Sequence, residues 1–373
     1  MSDAAFGLLA VAVTVEIAAR TYRSARHGLA WHSSLPLPSP RVLSFDSHPY
    51  ALYVLKPQGD GLWPSNELGY AGKRDIVRAR VPNSVRIYCV GGSTVQCHDP
   101  ASGPDSSWPG RLQDLLAERF AGTRIECINA GVAGYTSAES LSEFLFRGID
   151  LQPDIVLVYH NVNDAWTCQM VDGFKPDYSH ARRHKPWTVG WINRLPQVPW
   201  LVSYQTLRDR LTRWFGKANA LVYWFSDPPW KSVHAFNPEA VKPFRRNITN
   251  LVRVAQSAQA VPVLLRWECD WSARRLPPHL EEHPDATDAY FAFLEANNVA
   301  LAQIAQECDC PHMTVGPFAP DHFVDTIHFS PLGLQEMARR VADQLEPIVR
   351  STLGKRLAEA SGPWTDRPMA HAG

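Results

Sequence analysis

The chain has no surplus of either charge. Its 37 Lys and Arg are matched by 37 Asp and Glu. It therefore lacks the concentrated basic surface that phosphate backbones require, and nucleic acid is excluded as a partner class. It also lacks a disulfide framework. The seven cysteines are odd in number and several stand inside apolar strand-like runs, which fits free thiols in a reducing compartment. No second Cys/His cluster with zinc spacing accompanies Cys308-Asp309-Cys310-Pro311-His312. The zincin pattern that His180 and His184 could frame needs Glu at position 181, where Ala stands, so both are read as surface histidines and no metal is expected. Internal repeats are absent. No apolar run reaches the roughly 20 residues of a spanning helix. The longest, residues 4–19, is interrupted by Thr14 and Glu16, preceded by Asp3 rather than by the basic residues of a secretory signal, and followed by Arg20, Arg23 and Arg26. It reads as a short membrane anchor, as an amphipathic or partner-docking helix, or as a signal anchor trimmed at its start. Membrane association through this segment and a cytoplasmic location both stay open, because a basic flank after the run keeps the main domain on the cytoplasmic side.

What is present is a chain of 373 residues, 45% apolar, long enough to bury its own core without staples. Residues 1–26 form the N-terminal segment. Residues 27–84 are rich in Pro, Gly, Ser and aromatics and read as an extended lead-in with one short strand at 50–55. From residue 85 strands and helices alternate. Strands are expected at 85–90, 124–129, 154–160, 261–267 and 312–315. Helices are expected at 107–120, 137–147, 243–258, 288–307 and 331–345, the last capped by Ser330 with Pro331 in its first turn. Continuous apolar strands alternating with helices argue for a parallel sheet covered on both faces. Residues 165–240 break the rhythm and hold seven of the 13 Trp. They read as a subdomain with a small aromatic core, or as a lid over an apolar pocket or against a membrane surface. The tail, 351–373, reads as disordered.

Four turns hold the residues with chemistry. Gly91-Gly92-Ser93-Thr94 follows the first main strand, and Asn129-Ala130-Gly131-Val132-Ala133-Gly134-Tyr135-Thr136 the second. Asn161-Val162-Asn163-Asp164 follows the third, and Asp325-Thr326-Ile327-His328 precedes the last helix. Parallel sheets place their sites at the carboxyl ends of strands. Each turn alone is weak: Gly-Gly-Ser is a common turn, and Asn-Asp at a strand end is usually turn chemistry. Together they supply a nucleophile, amide donors, a base and a group to orient the base, which is the set that acyl transfer needs. His160 and His322 are the rival bases, Asp321 and Asp164 the rival acids, and Gly131 the rival donor. Cys89 and Cys97 flank the serine turn as packing residues. His160, Asn161 and Trp166 stand where they would line a pocket.

In this order the four turns resemble the blocks of the SGNH hydrolases, the GDSL-type esterases and lipases. Ser93 matches the block-one nucleophile, Gly134 the block-two glycine, Asn163 the block-three asparagine, and Asp325 with His328 the last block. The likeness spans about residues 85–347, within a domain of 85–350. It is nearest to the bacterial branch that writes GGST where others write GDS, with an upstream stretch such as Asn66-Glu67-Leu68-Gly69-Tyr70-Ala71-Gly72. Gly92 departs from the family's block-one Asp, and Asn161 from its block-three Gly. The resemblance implies a three-layer α/β/α sandwich around a mainly five-stranded parallel sheet, flavodoxin-like in topology, with the aromatic-rich stretch inserted. It implies a triad of Ser93, His328 and Asp325, an oxyanion hole of Ser93, Gly134 and Asn163, and no cofactor. The expected substrate is a small-molecule or glycan ester carrying an acyl or acetyl group, with no protein partner evident. Two other readings stand beside ester hydrolysis: an O-acyltransferase using the same acyl-enzyme, and a non-catalytic binding protein on the same fold.

Overall fold

The computed structural model describes residues 3–27, 31, 45–59, 63–169, 174–181, 198, 201–204, 206–207, 236–273 and 287–361. Six of the tryptophans in the 165–240 stretch, together with His184, lie outside these residues, and so does most of what would form a lid. Residues 362–373 of the tail lie outside them as well.

The apolar N-terminal run forms helix α1 (Asp3–His27). Leu9, Val11, Val13, Val15 and Ile17 are exposed along it. Its one acid within the apolar run is a fastening: Glu16 accepts the backbone N–H groups of Val202 and Ser203 at 2.9 and 2.8 Å and pairs with Arg20. Among the described residues no helix is long and apolar enough to cross a membrane.

The lead-in holds a hairpin rather than a single strand. Strand β1 (Phe45–His48) pairs antiparallel with β2 (Leu52–Leu55), because His48 Nδ1 takes the N–H groups of Tyr50 and Ala51 and turns the chain between them. The main sheet then begins. In chain order come β3 (Ser84–Gly91), α2 (Ser93–Gln96), α3 (Trp108–Arg119), β4 (Arg124–Gly131), α4 (Ser137–Glu143), β5 (Ile155–Tyr159) and α5 (Val162–Gln169). After the insertion come α6 (Val241–Ser257), β6 (Val261–Leu265), α7 (Thr287–Glu307), β7 (His312–Met313) and α8 (Pro331–Ser361). The five strands lie in the order β4-β3-β5-β6-β7, all parallel. The strand order reverses at β3, between β4 and β5, which is where such sheets open a crevice.

Alternation within the strands builds both layers. Val85, Ile87 and Cys89 of β3, with Ile155, Leu157 and Tyr159 of β5, face the layer holding α3 and α8. Tyr88 and Val90, with Val156 and Val158, face the layer holding α6 and the later turns of α7. Each fully buried side chain of this kind contributes about 1.5–3 kcal/mol. The expected helix at 137–147 is α-helical only to Glu143. A π-turn covers Phe144–Gly148, where a Cβ at Gly148 would meet the rings of Tyr88 and Phe144 within 2.7 Å. The sequence pattern ends the last helix at 345, before Pro347, and leaves a disordered tail from 351. The helix instead continues through Pro347 to Ser361, with Val349 and Thr352 buried.

That continuation completes a charged knot at the amino ends of the strands. Asp154, 4% exposed, accepts the backbone N–H of Arg86 at 2.8 Å and the guanidinium groups of Arg80 and of Arg356 in α8. Arg86, 2% exposed, bonds Glu126 opposite it in the β3–β4 register. Asp154→Ala leaves a buried N–H and two cations without their acceptor, so urea unfolding should show a loss of about 3–5 kcal/mol. A loss below about 1 kcal/mol would remove the knot from the account.

Candidate active site

Backbone contact explains the double glycine after β3. A Cβ at Gly91 would collide with the Val95 side chain and with Tyr159 O, and one at Gly92 would lie 2.5 Å from Asn163 Nδ2. Only a chain without side chains at both positions folds back at once into α2. That turn sets Ser93, half-exposed, at the carboxyl end of β3. Gly92 thus leaves room for the Asn163 amide.

The loop after β4 is held from three sides. Gly131 packs against the backbone of Val95 and Gln96, and its N–H is taken by Asn129 Oδ1 at 3.0 Å. Asn129 Nδ2 reaches Val95 O and Ser107 Oγ, and buried Gln96 accepts the N–H of Ala133. From the hairpin, Tyr53 Oη donates to Ala133 O at 2.8 Å, and Tyr135 Oη returns a bond to Tyr53 O. Val132, Tyr135 and Thr136 donate their N–H groups to Gly91 O, Val132 O and Glu139 Oε2. Gly134, at φ +79°, is the residue of this loop whose N–H meets no acceptor among the described residues. Between the two glycines, Gly131 is a packing residue and Gly134 carries the free donor.

After β5, Asn163 Nδ2 donates to Tyr135 O at 2.8 Å, which brings its amide over the same turn as Gly92. The last block closes the arrangement. Asp325 Oδ1 accepts the N–H groups of Ile327 and His328, both at 2.8 Å. Its Oδ2 lies 2.8 Å from His328 Nδ1, and His328 Nε2 lies 2.9 Å from Ser93 Oγ. Burial opposes the charge on Asp325. The hydrogen bond and charge of His328 and the two backbone donors outweigh it and hold the carboxyl below its ordinary range. With Nδ1 donating to Asp325, Nε2 is left to accept from the serine hydroxyl. The loop is pinned by Val324 N to His328 O at 2.9 Å and by Asp270 N to Thr326 O at 2.9 Å. Ser330 starts the next helix, its hydroxyl taking the N–H of Gly333.

The rivals meet other groups. Asp321 Oδ1 and His322 Nδ1 lie 3.2 Å apart. Burial pushes the Cys89 thiol far above its ordinary range, and burial with the nearby Asp325 carboxylate pushes Cys97 up to about 12, so neither is a thiolate near neutral pH. The three residues expected at a pocket are all buried. His160 bonds Ser140 Oγ at 2.7 Å. Asn161 reaches Leu294 O and Asn297 Nδ2 and ties β5 to α7. Trp166 belongs to the core beneath α5. His180, expected at the surface, is half-buried with Nε2 on Thr167 O. Tyr53 and Gln96, both structural supports of the site, carry no local sequence signal, since their partners are 80 and 37 residues away. Among the described residues no cluster of three or more His, Cys, Asp or Glu could hold a metal ion.

Comparison with known proteins places the chain in a family. The model of the GDSL-like lipase/acylhydrolase family matches residues 89–335. The chain belongs to that family, whose members act on esters. Among solved structures it is similar to a lipase/acylhydrolase from Enterococcus faecalis, at 13% identity over 71% of this chain and 96% of that one, with a TM-score of 0.42. It is also similar to an acetyl xylan esterase from Geobacillus stearothermophilus, at 13% identity over 73% and 97%, TM-score 0.41. A GDSL-like lipase from Bacteroides thetaiotaomicron matches at 14% identity over 70% and 88%, TM-score 0.39. No curated protein matches.

Beside the site, His160 Nδ1 and Asp164 Oδ2 lie 3.9 Å apart, both buried. Burial raises Asp164 from 3.8 to about 7, against the bonds of Ser137 and Tyr178 that pull it down. Burial lowers His160 from 6.5 to about 3. From about pH 4 to pH 7 the folded chain keeps an Asp164 proton that the unfolded chain has lost, so this contribution to stability falls as pH rises. From about pH 6.5 down to pH 3 the unfolded chain gains a His160 proton that the folded chain refuses, so that contribution falls as pH drops. The two oppose each other where they overlap. In Asp164→Asn only the histidine contribution remains, and urea midpoints between about pH 4 and 6.5 should climb more steeply with pH than in wild type. Parallel slopes would contradict the assignment.

Proposed function

We propose that this chain is a serine ester hydrolase that works through an acyl-enzyme on Ser93. The observation that carries the reading is the unbroken chain of contacts Ser93–His328–Asp325, 2.9 and 2.8 Å, between groups of the right donor and acceptor character. Serine hydroxyl is a weak nucleophile at neutral pH and needs a base in reach. His328 Nε2 takes the hydroxyl proton as Oγ attacks the ester carbonyl. Asp325 fixes the imidazole tautomer and stabilises the cation. The oxyanion that forms is met by the N–H groups of Ser93 and Gly134 and by the Asn163 hydrogen not used on Tyr135 O. His328 then passes its proton to the departing alcohol, and water repeats the cycle on the acyl-enzyme. No cofactor enters these steps. The GGST turn and the Asn66–Gly72 stretch support placement in the bacterial branch that lacks the block-one Asp. An alcohol in place of water would make the same acyl-enzyme an O-acyltransferase, and product analysis with added acceptor separates the two.

The test is a p-nitrophenyl ester series of increasing acyl length on wild type and variants. Ser93→Ala should abolish both the burst and turnover, and fluorophosphonate should label wild type only. Asn163→Ala should lower kcat about 100-fold or more, the typical loss for one oxyanion donor, while keeping the fold. Wild-type turnover in Ser93→Ala would refute the mechanism, and a folded wild type that takes no label would favour a binding protein.

A further inference from the structure

We propose that Asp164 is a positioning residue that holds the two walls of the oxyanion hole in register and links them to the segment around Tyr178. The inference rests on the acyl-enzyme reading above. One wall is Asn163, the residue before Asp164 in the first turn of α5. The other is the loop of Gly134, which ends where α4 begins at Ser137. Two ties cross the gap between them. Asn163 Nδ2 runs to Tyr135 O at 2.8 Å. In the opposite direction the Ser137 backbone N–H runs to the Asp164 carboxylate at 3.0 Å, joined by the Ser137 hydroxyl. A side chain that slips on either tie moves the amide that would meet the oxyanion.

The carboxylate is itself over-determined. It is fully buried, and its own N–H is fixed on Asn161 O at 3.0 Å. The Ser137 hydroxyl that donates to it accepts from Asn247 Nδ2 of α6 at 3.1 Å, so that hydroxyl has one orientation. The third donor comes from beyond α5: Tyr178 Oη reaches Asp164 Oδ1 at 2.7 Å. Tyr178 holds φ at +64°, a conformation costly to a residue with a Cβ, and is 1% exposed. A strained, buried tyrosine whose hydroxyl ends on this carboxylate ties the far side of α5 to the site. Burying an acid here is unfavourable, and a plain helix cap on α4 would not require it, since Thr136 and Glu139 already form a capping box there. His160 and Glu139 are the other titratable groups that face it.

The experiment is steady-state kinetics on a p-nitrophenyl ester with the full chain, using Asp164→Asn, Tyr178→Phe, Asn163→Ala and the Asp164→Asn/Asn163→Ala double variant, each corrected for folded fraction by circular dichroism. Asp164→Asn should lower kcat about 10-fold with KM unchanged, a part of the ~100-fold loss of the donor itself. Tyr178→Phe, which removes one hydroxyl and keeps the ring, should lower kcat about 3-fold and stands in if Asp164→Asn does not fold. On the Asn163→Ala background Asp164→Asn should cost less than about 2-fold, because the group it positions is gone. An equal loss on both backgrounds, a loss accounted for by unfolding, or an unchanged kcat in both Asp164→Asn and Tyr178→Phe would overturn the proposal. Ser93→Ala runs alongside: full activity there would fail the acyl-enzyme reading, not the clamp.

Discussion

A hydrogen bond between two side chains tolerates only a few tenths of an ångström, and the one between Ser93 Oγ and His328 Nε2 joins segments 235 residues apart. Holding it is the constraint around which the molecule is organised. Ser93 is placed by the end of β3, a strand buried along its whole length with neighbours on both sides. His328 is placed by a loop pinned to the segment after β6 through Asp270 and to itself through Val324. The sheet is the common reference. A shift of either loop is a shift against five paired strands, and the layers of buried side chains on both faces resist it.

Glycine enters this frame in two physically different ways. At 91, 92 and 131 it is there because neighbouring atoms leave no space for a Cβ, and the φ angles ask nothing unusual. At 134 the backbone is left-handed and the N–H points where no carbonyl among the described residues answers. The first kind brings the three turns into contact. The second leaves a donor without an acceptor among the described residues, which is what the proposed oxyanion hole would use.

The strands and most helices are legible in the sequence because their apolar periods are long and their caps are local. The order of the four chemical turns is legible for the same reason: each is a short motif, three at strand ends and one before the last helix. What stays hidden depends on partners distant in the chain. Nothing near His160, Asn161 or Trp166 announces the partners they meet, Ser140, α7 and the core. Pro347 argues for a helix end, whereas beyond it α8 buries Val349 and Thr352 and reaches Asp154 through Arg356. Asp164 reads as a turn brace, and the reach of Ser137 and Tyr178 to it appears only in three dimensions. The aromatic character of 165–240 is plain in the sequence, but its tryptophans beyond Trp166 fall outside the described residues.

The hairpin of β1 and β2 makes no bond to the main sheet's strands in their own ladder, yet its tyrosine grips the loop on either side of Gly134. The hairpin thus stands outside the five-stranded ladder and bonds the loop instead. Trimming that took residue 85 as the first of the domain would leave every strand of the five-stranded ladder nearly whole, yet it would strip Tyr53 from the Gly134 loop and Arg80 from the Asp154 knot, so the lead-in is a brace to the sheet and not an appendage.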